Sequence, residues 1–325
     1  MKRRDFVKGT ALTALGASLI APLESLAEPA VTHLESDDVS PRAALMDDFP
    51  LNFVAIGDWG RNGEYHQKEV ATQMGKWAAT HPNKFIVSVG DNFYPKGVVS
   101  EHDPLWHYSF EDVYTAHSLQ DDWYPVLGNH DYGTDPDAQV RYSKVSRRWN
   151  MPALYYSKEV DIDKHSGKVL FVFIDTQPIV YDFEERNPQK QLKWIDETLA
   201  AAAADVKWKI VIGHHPAHTV GPRIKNYDTL EIRKKLSGIL EKHKVDVYLS
   251  GHEHSLQHIK PIGHTHQFIS GAGSELTEVT AGIPDCRFQA SEHGFMYFSI
   301  NAQKIRVSAI NDSGTVLYQT DIAKS

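Results

Sequence analysis

The chain has 325 residues, of which 41% are hydrophobic and 23% charged, with a formal net charge of -8. These proportions are those of a globular protein and exclude a disordered or fibrous one. The acid excess, with no dense Lys/Arg cluster past the N-terminus, argues against nucleic-acid binding as the main activity.

Residues 1–27 read as an export signal. Lys2, Arg3, Arg4 and Lys8 precede an apolar run from Gly9 to Leu23, and Ser25-Leu26-Ala27 offers a small-x-small cleavage site. The run is shorter than the about 20 apolar residues of a membrane span, so no stable membrane anchor is expected after cleavage. Arg3-Arg4-Asp5-Phe6-Val7-Lys8 resembles a twin-arginine signal, which implies the twin-arginine export machinery as a partner and a periplasmic or secreted bacterial location. An ordinary secretory signal is the alternative. Residues 28–50 read as a polar linker, and residues 51–325 as one domain.

Within that domain, β-rich runs are expected at Asn52–Ile56, Phe85–Val89, Trp123–Leu127, Val169–Ile174, Trp208–Ile212 and Val245–Leu249. Further runs follow at Gln267–Ile269, Phe295–Ile300, Ile305–Ile310 and Thr315–Thr320. Helical spacing links Val70, Met74 and Trp77, and again Leu192, Ile195 and Leu199. Asp228 and Glu231 read as a capping box opening a helix that turns Ile232, Leu236 and Ile239 inward. Helices alternating with strands early, then strands alone, predict a mixed α/β sandwich.

The chemistry lies where these strands stop. The runs lead into Gly57-Asp58, Gly90-Asp91-Asn92-Phe93-Tyr94, Gly128-Asn129-His130-Asp131, Gly213-His214-His215-Pro216 and Gly251-His252-Glu253-His254. Ligands bind at the carboxyl ends of strands in open α/β sheets, and glycine there permits a tight turn. One Gly-Asp is an ordinary turn; five such endings in series point to a metal site. The single cysteine, Cys286, excludes an intrachain disulfide and a Cys-rich zinc site, and reads as a small buried hydrophobe.

This order of motifs resembles the metallophosphoesterase superfamily, and Tyr94 narrows it to the purple acid phosphatases, most closely the small tartrate-resistant type. The likeness runs from about Leu51 to Ile310 and includes Tyr142–Asn150 and Ile269–Gly273. It implies a four-layer α/β/β/α sandwich with a dinuclear metal site at the strand C-terminal ends. It further implies Fe3+ held by Asp58, Asp91, Tyr94 and His254. Asp91 would bridge to a divalent metal (Fe2+, Zn2+ or Mn2+) held also by Asn129, His214 and His252. Hard carboxylate and phenolate oxygens suit a trivalent ion, whereas imidazole and amide suit a softer divalent one. Two such ions can clamp an in-line phosphoryl displacement and generate a metal-bound hydroxide nucleophile.

The implied activity is acid phosphatase, hydrolysing small phosphate monoesters; a phosphodiesterase on the same metal core is the alternative. His130 is the candidate catalytic acid, with Asp131 to orient it. Asn129 and His130 are also candidates for holding the phosphate. The family has a substrate-facing His about nine residues past its metal His; Arg223 occupies that offset here, and His218 lies four residues past His214. Both are therefore candidate substrate contacts. His215 reads as a packing residue, and His258, His264, His266 and His293 as surface or loop residues.

Overall fold

The computed structural model describes residues 48–324. The export signal and all but the last residues of the linker lie outside them. In chain order the elements are β1 (Leu51–Ile56), α1 (Gln67–Thr80), β2 (Phe85–Ser88), β3 (Asp122–Pro125), α2 (Asp137–Tyr142) and β4 (Tyr156–Asp161). Next come β5 (Lys168–Phe173), α3 (Thr176–Tyr181), α4 (Pro188–Ala200), β6 (Val206–Ile212), α5 (Tyr227–Lys242) and β7 (Val247–Ser250). The chain ends with β8 (Leu256–Ile259), β9 (His266–Ser270), β10 (Cys286–Ala290), β11 (Gly294–Ile300), β12 (Lys304–Asn311) and β13 (Val316–Ala323).

The strands form two sheets, in the orders β13-β12-β11-β1-β2-β3 and β10-β8-β9-β7-β6-β5-β4. β1, β2 and β3 run parallel, as do β5, β6, β7 and β9. Alternation along single strands builds the layers. Phe53 of β1 stacks on Phe85 and Phe298 within its sheet, at 5.3 and 4.6 Å between centroids, and meets Phe171 of the other sheet edge-on at 5.5 Å. Tyr297, next to Phe298, faces the other way and meets Trp77 of α1. In β5, Val169, Phe171 and Phe173 join the core between the sheets. The intervening Leu170 and Val172, with Ile174 just past the strand, pack instead with Ile179, Ile195, Leu199, Ile232 and Leu236 of α3, α4 and α5. Helix, sheet, sheet, helix is thus the layer order: the mixed α/β sandwich expected from the sequence, in the four layers that the resemblance implies.

Three strands escape the sequence reading: β4, β8 and β10. β4 is an edge strand rich in charge, and β8 is only four residues long. The Tyr142–Asn150 segment proves to be scaffold. Arg148 is buried, donates to the Tyr114 carbonyl at 2.7 Å, pairs with Glu111 at 2.8 Å, and lies over the Phe110 ring. Around it Trp59, Phe93, Trp106, Trp123 and Trp149 pack edge to face, supporting the loops after β1 and β2 from below.

Candidate metal centre

Asp58 follows β1, Asp91 and Tyr94 follow β2, and Asn129 and His130 follow β3. His214 follows β6, and His252 and His254 follow β7. The first three strands belong to one sheet and the last two to the other, so the cluster straddles the seam between sheets. Asp58, Asp91 and His252 all have left-handed backbones, with φ of 57°, 50° and 70°. Non-glycine residues are strained there, and such strain gathers at functional sites. Gly128 has no room for a side chain, because Asp91 packs against its Cα.

Two groups of polar atoms share Asp91. In the first, the Tyr94 hydroxyl lies 3.1 Å from Asp91 Oδ2, 3.4 Å from Asp58 Oδ1 and 3.2 Å from His254 Nε2. His254 Nε2 is 3.5 Å from Asp58 Oδ1. In the second, His214 Nε2 is 3.4 Å from Asp91 Oδ2, 3.1 Å from Asn129 Oδ1 and 3.2 Å from His252 Nδ1. All seven residues expected to hold metal therefore meet in one place.

The tautomers are set from outside the cluster. His214 Nδ1 donates to the Val89 carbonyl at 2.9 Å, which turns Nε2 inward. His252 Nε2 donates to Asp228 Oδ2 at 2.7 Å, which leaves Nδ1 facing His214. Asp228 therefore does not cap α5 as the sequence suggests. It sits in the helix's first turn, accepts from the Thr229 amide at 2.7 Å, and reaches across to the imidazole. Nothing in the local pattern separates this carboxylate from a capping one. Asp228→Asn is expected to weaken binding of the metal on His252 by about 10–100-fold, the usual cost of an outer partner. Equilibrium dialysis against the divalent ion checks it; unchanged affinity would show that Asp228 only packs.

The electrostatics call for cations. Burial and the two neighbouring carboxylates push the Tyr94 phenol well above its ordinary value. Burial likewise raises Asp58, with Asp91 adding to it. Burial also acts to raise Asp91, but His214 outweighs it and holds that carboxyl well down. Two carboxylates and a phenol, all nearly sealed from water, are costly without positive charge among them. The donor set of oxygens on one side and imidazoles on the other fits a pair of metal ions.

The remaining expectations divide. His130 Nδ1 is 2.7 Å from the Pro95 carbonyl, and its ring lies against that of Tyr94. Arg223 is held at Glu253, the residue between His252 and His254: its amide donates to Glu253 Oε1 at 2.7 Å and its guanidinium lies 3.8 Å from Oε2. Asp131 does not orient His130. Its buried carboxylate accepts from the amides of Gly128, Asn92 and Phe93 at 2.9, 3.0 and 3.1 Å, tying the β2 and β3 loops together. The Pro95 carbonyl takes the orienting place instead. Asp131→Ala would leave three buried amides unpaired, a loss of at least about 3 kcal/mol of stability; a denaturant midpoint unchanged from the native one would contradict it.

His218 also turns away. The Gln267 side chain accepts from the amides of Ala217 and His218, and this draws the loop toward Arg233, Tyr248 and Leu240 on the α5 side of the sheet. There burial and Arg233 push the His218 imidazole down to about 4. His258 is no surface residue: it is buried in β8 and bonds Tyr318 and His266. Cys286 is only half-buried. His215, packed behind the site, bonds Thr176 Oγ1 at 2.7 Å. Arg61 was not singled out by the sequence. Its guanidinium lies 3.6 Å from the Tyr94 ring centroid and pairs with Glu275. Its position directly after Asp58-Trp59-Gly60 is the signal that could have found it.

Residues 51–256 match the calcineurin-like phosphoesterase family, which sets the class: a metal-dependent phosphoesterase with a dinuclear centre. The chain is 37% identical over 294 residues to purple acid phosphatase 3 of Arabidopsis thaliana, covering 83% of this chain and 77% of that protein. It is 34% identical over 301 residues to tartrate-resistant acid phosphatase type 5 of Oryctolagus cuniculus, covering 84% and 91%. It therefore belongs to the purple acid phosphatases and is a metal-dependent phosphatase. Among solved structures, GAP50, the anchor in the inner membrane complex of Plasmodium, shares the fold with a TM-score of 0.76 at 24% identity, over 85% of this chain and 89% of that one. No helix among the described residues is long and apolar enough to cross a membrane.

Proposed function

We propose that this chain is an exported acid phosphatase that hydrolyses small phosphate monoesters with an Fe3+ and a divalent ion. The observation that carries this reading is the pair of donor groups sharing Asp91. Asp58, Asp91, Tyr94 and His254 would hold the ferric ion; Asp91, Asn129, His214 and His252 would hold Fe2+, Zn2+ or Mn2+. When bound, such a pair supplies Lewis-acid charge to a phosphoryl group and activates water near neutral pH. Asn129, beside His214, and Arg223, held beside Glu253, are the candidates for binding phosphoryl oxygens, Arg223 by charge-assisted hydrogen bonds. His130, with Nδ1 committed to Pro95, has Nε2 free to give a proton to the leaving oxygen. The Arg3-Arg4 leader supports export by the twin-arginine route to the periplasm or beyond.

The test is element analysis of the purified protein together with turnover of a monoester and a diester panel. Iron with one divalent ion per chain and a preference for monoesters is the expected result. Diesters turned over as fast would overturn the monoesterase assignment. Tyr94 carries a further expectation, because a phenolate on ferric iron gives a visible charge-transfer band. Tyr94→Phe should lose that band while keeping its fold; an unchanged absorption spectrum in an iron-loaded variant would remove Tyr94 from the ferric site.

A further inference from the structure

Outside the phosphatase centre, the described residues bring two imidazoles and a carboxylate together once more. His66 ends the loop before α1, His293 lies between β10 and β11, and Asp312 lies between β12 and β13. One donor atom from each of the three falls within 4.8 Å of the others. The two rings are stacked, 4.0 Å between centroids and 11° apart, and His66 Nδ1 is 3.5 Å from Asp312 Oδ2.

The backbone holds this arrangement. His66 has a left-handed φ of 64°, which turns its side chain out of the helix that follows. The Asp312 amide donates to the His293 carbonyl at 2.9 Å, and the β11–β12 ladder begins beside them at Gly294 and Asn311.

Two stacked imidazoles gain little from each other in water, and only one of them pairs with the carboxylate. A divalent ion would engage all three groups. We infer that His66, His293 and Asp312 form a surface site for a borderline divalent transition metal such as Zn2+, separate from the phosphatase centre. Two His and one carboxylate are a familiar set for zinc, with a position left for water. Ligands about 2.0–2.2 Å from a tetrahedral ion stand closer together than these atoms do. Stacked rings also aim their nitrogen lone pairs side by side, so the exposed His66 ring must both close that distance and turn out of the stack to bind. Bound there, the ion would join the end of the Arg61–His66 loop to the ends of β11 and β12. That loop also carries the guanidinium lying over Tyr94.

The experiment uses the holoenzyme, its own metals first counted by element analysis, titrated with Zn2+ in a calorimeter. One further zinc per chain is expected. His66→Ala and His293→Ala should each weaken it by at least about tenfold, the least that loss of even an outer partner costs, with the original metals still in place. Asp312→Asn provides a third variant that retains side-chain volume, and circular dichroism verifies that each is folded. Two results would overturn the site: no further zinc bound by the native protein, or a further zinc bound equally well by all three folded variants. Because the original metals are counted separately, this failure is distinct from failure of the phosphatase centre.

Discussion

His130→Ala is expected to lower turnover of alkyl phosphates by about 10²–10⁴-fold, the range that a general acid supplies. Activated aryl phosphates should lose less, because their leaving oxygen bears negative charge without help. The substitution separates side chain from backbone cleanly. The His130 amide donates to Asp91 Oδ1 at 2.8 Å, and alanine keeps that bond, so both metals should remain. Only the ring is lost, with its bond to the Pro95 carbonyl and its contact with Tyr94. Steady-state kinetics on both substrate classes, with metal content measured in parallel, decides the matter. Equal losses on the two classes would make His130 a phosphate ligand, and loss of metal would make it structural.

Gly128→Ala should empty both metal positions, although it removes no polar group. A methyl on Gly128 would overlap Asp91 Oδ1 and the Asp91 amide nitrogen. Asp91 has nowhere to go: its own backbone is left-handed, and its carboxylate is held by the His130 amide. Displacing a reacting group by 1 Å costs about 10²-fold in rate. Here the displaced group is shared by both donor sets, so activity should fall by at least that much. Asp91→Ala is the matched comparison, since it removes the carboxylate and leaves Gly128 untouched. Element analysis that finds two metals in folded Gly128→Ala would refute the bridging role of Asp91.

Much of this site was legible because its residues stand directly after apolar strands, where period and punctuation are clearest. Asp58, Asp91, His214 and His252 each follow a glycine that ends a β-rich run, and a parallel sheet delivers such ends to one edge. What the sequence hides is the support. Asp228 comes from a helix start and reaches His252 only through tertiary packing. Asp131 looks like a partner for the histidine beside it, yet its carboxylate serves amides across two loops. His218 has the right residue type at a plausible offset, but Gln267, some fifty positions away, decides where its loop runs. The fold follows the same division. Strands buried on both faces announce themselves, whereas charged β4 and short β8 take their conformation from the neighbours that pair with them.

The pairing of β1 with β11 bears on how the molecule is made. β1 begins at Leu51, and its partner on one side, through Leu51↔Ile300, comes far later in the chain, after every candidate metal donor. A nascent chain that has already emitted all seven candidate donors, through His254, still presents β1 with an unpaired edge on that side. Such an edge is sticky toward other chains, and contacts this distant in sequence form slowly. Completion of the first sheet therefore waits for β11, the strand that closes this edge of β1. Until that strand arrives, the young polypeptide must keep the open side of β1 from pairing with a neighbour.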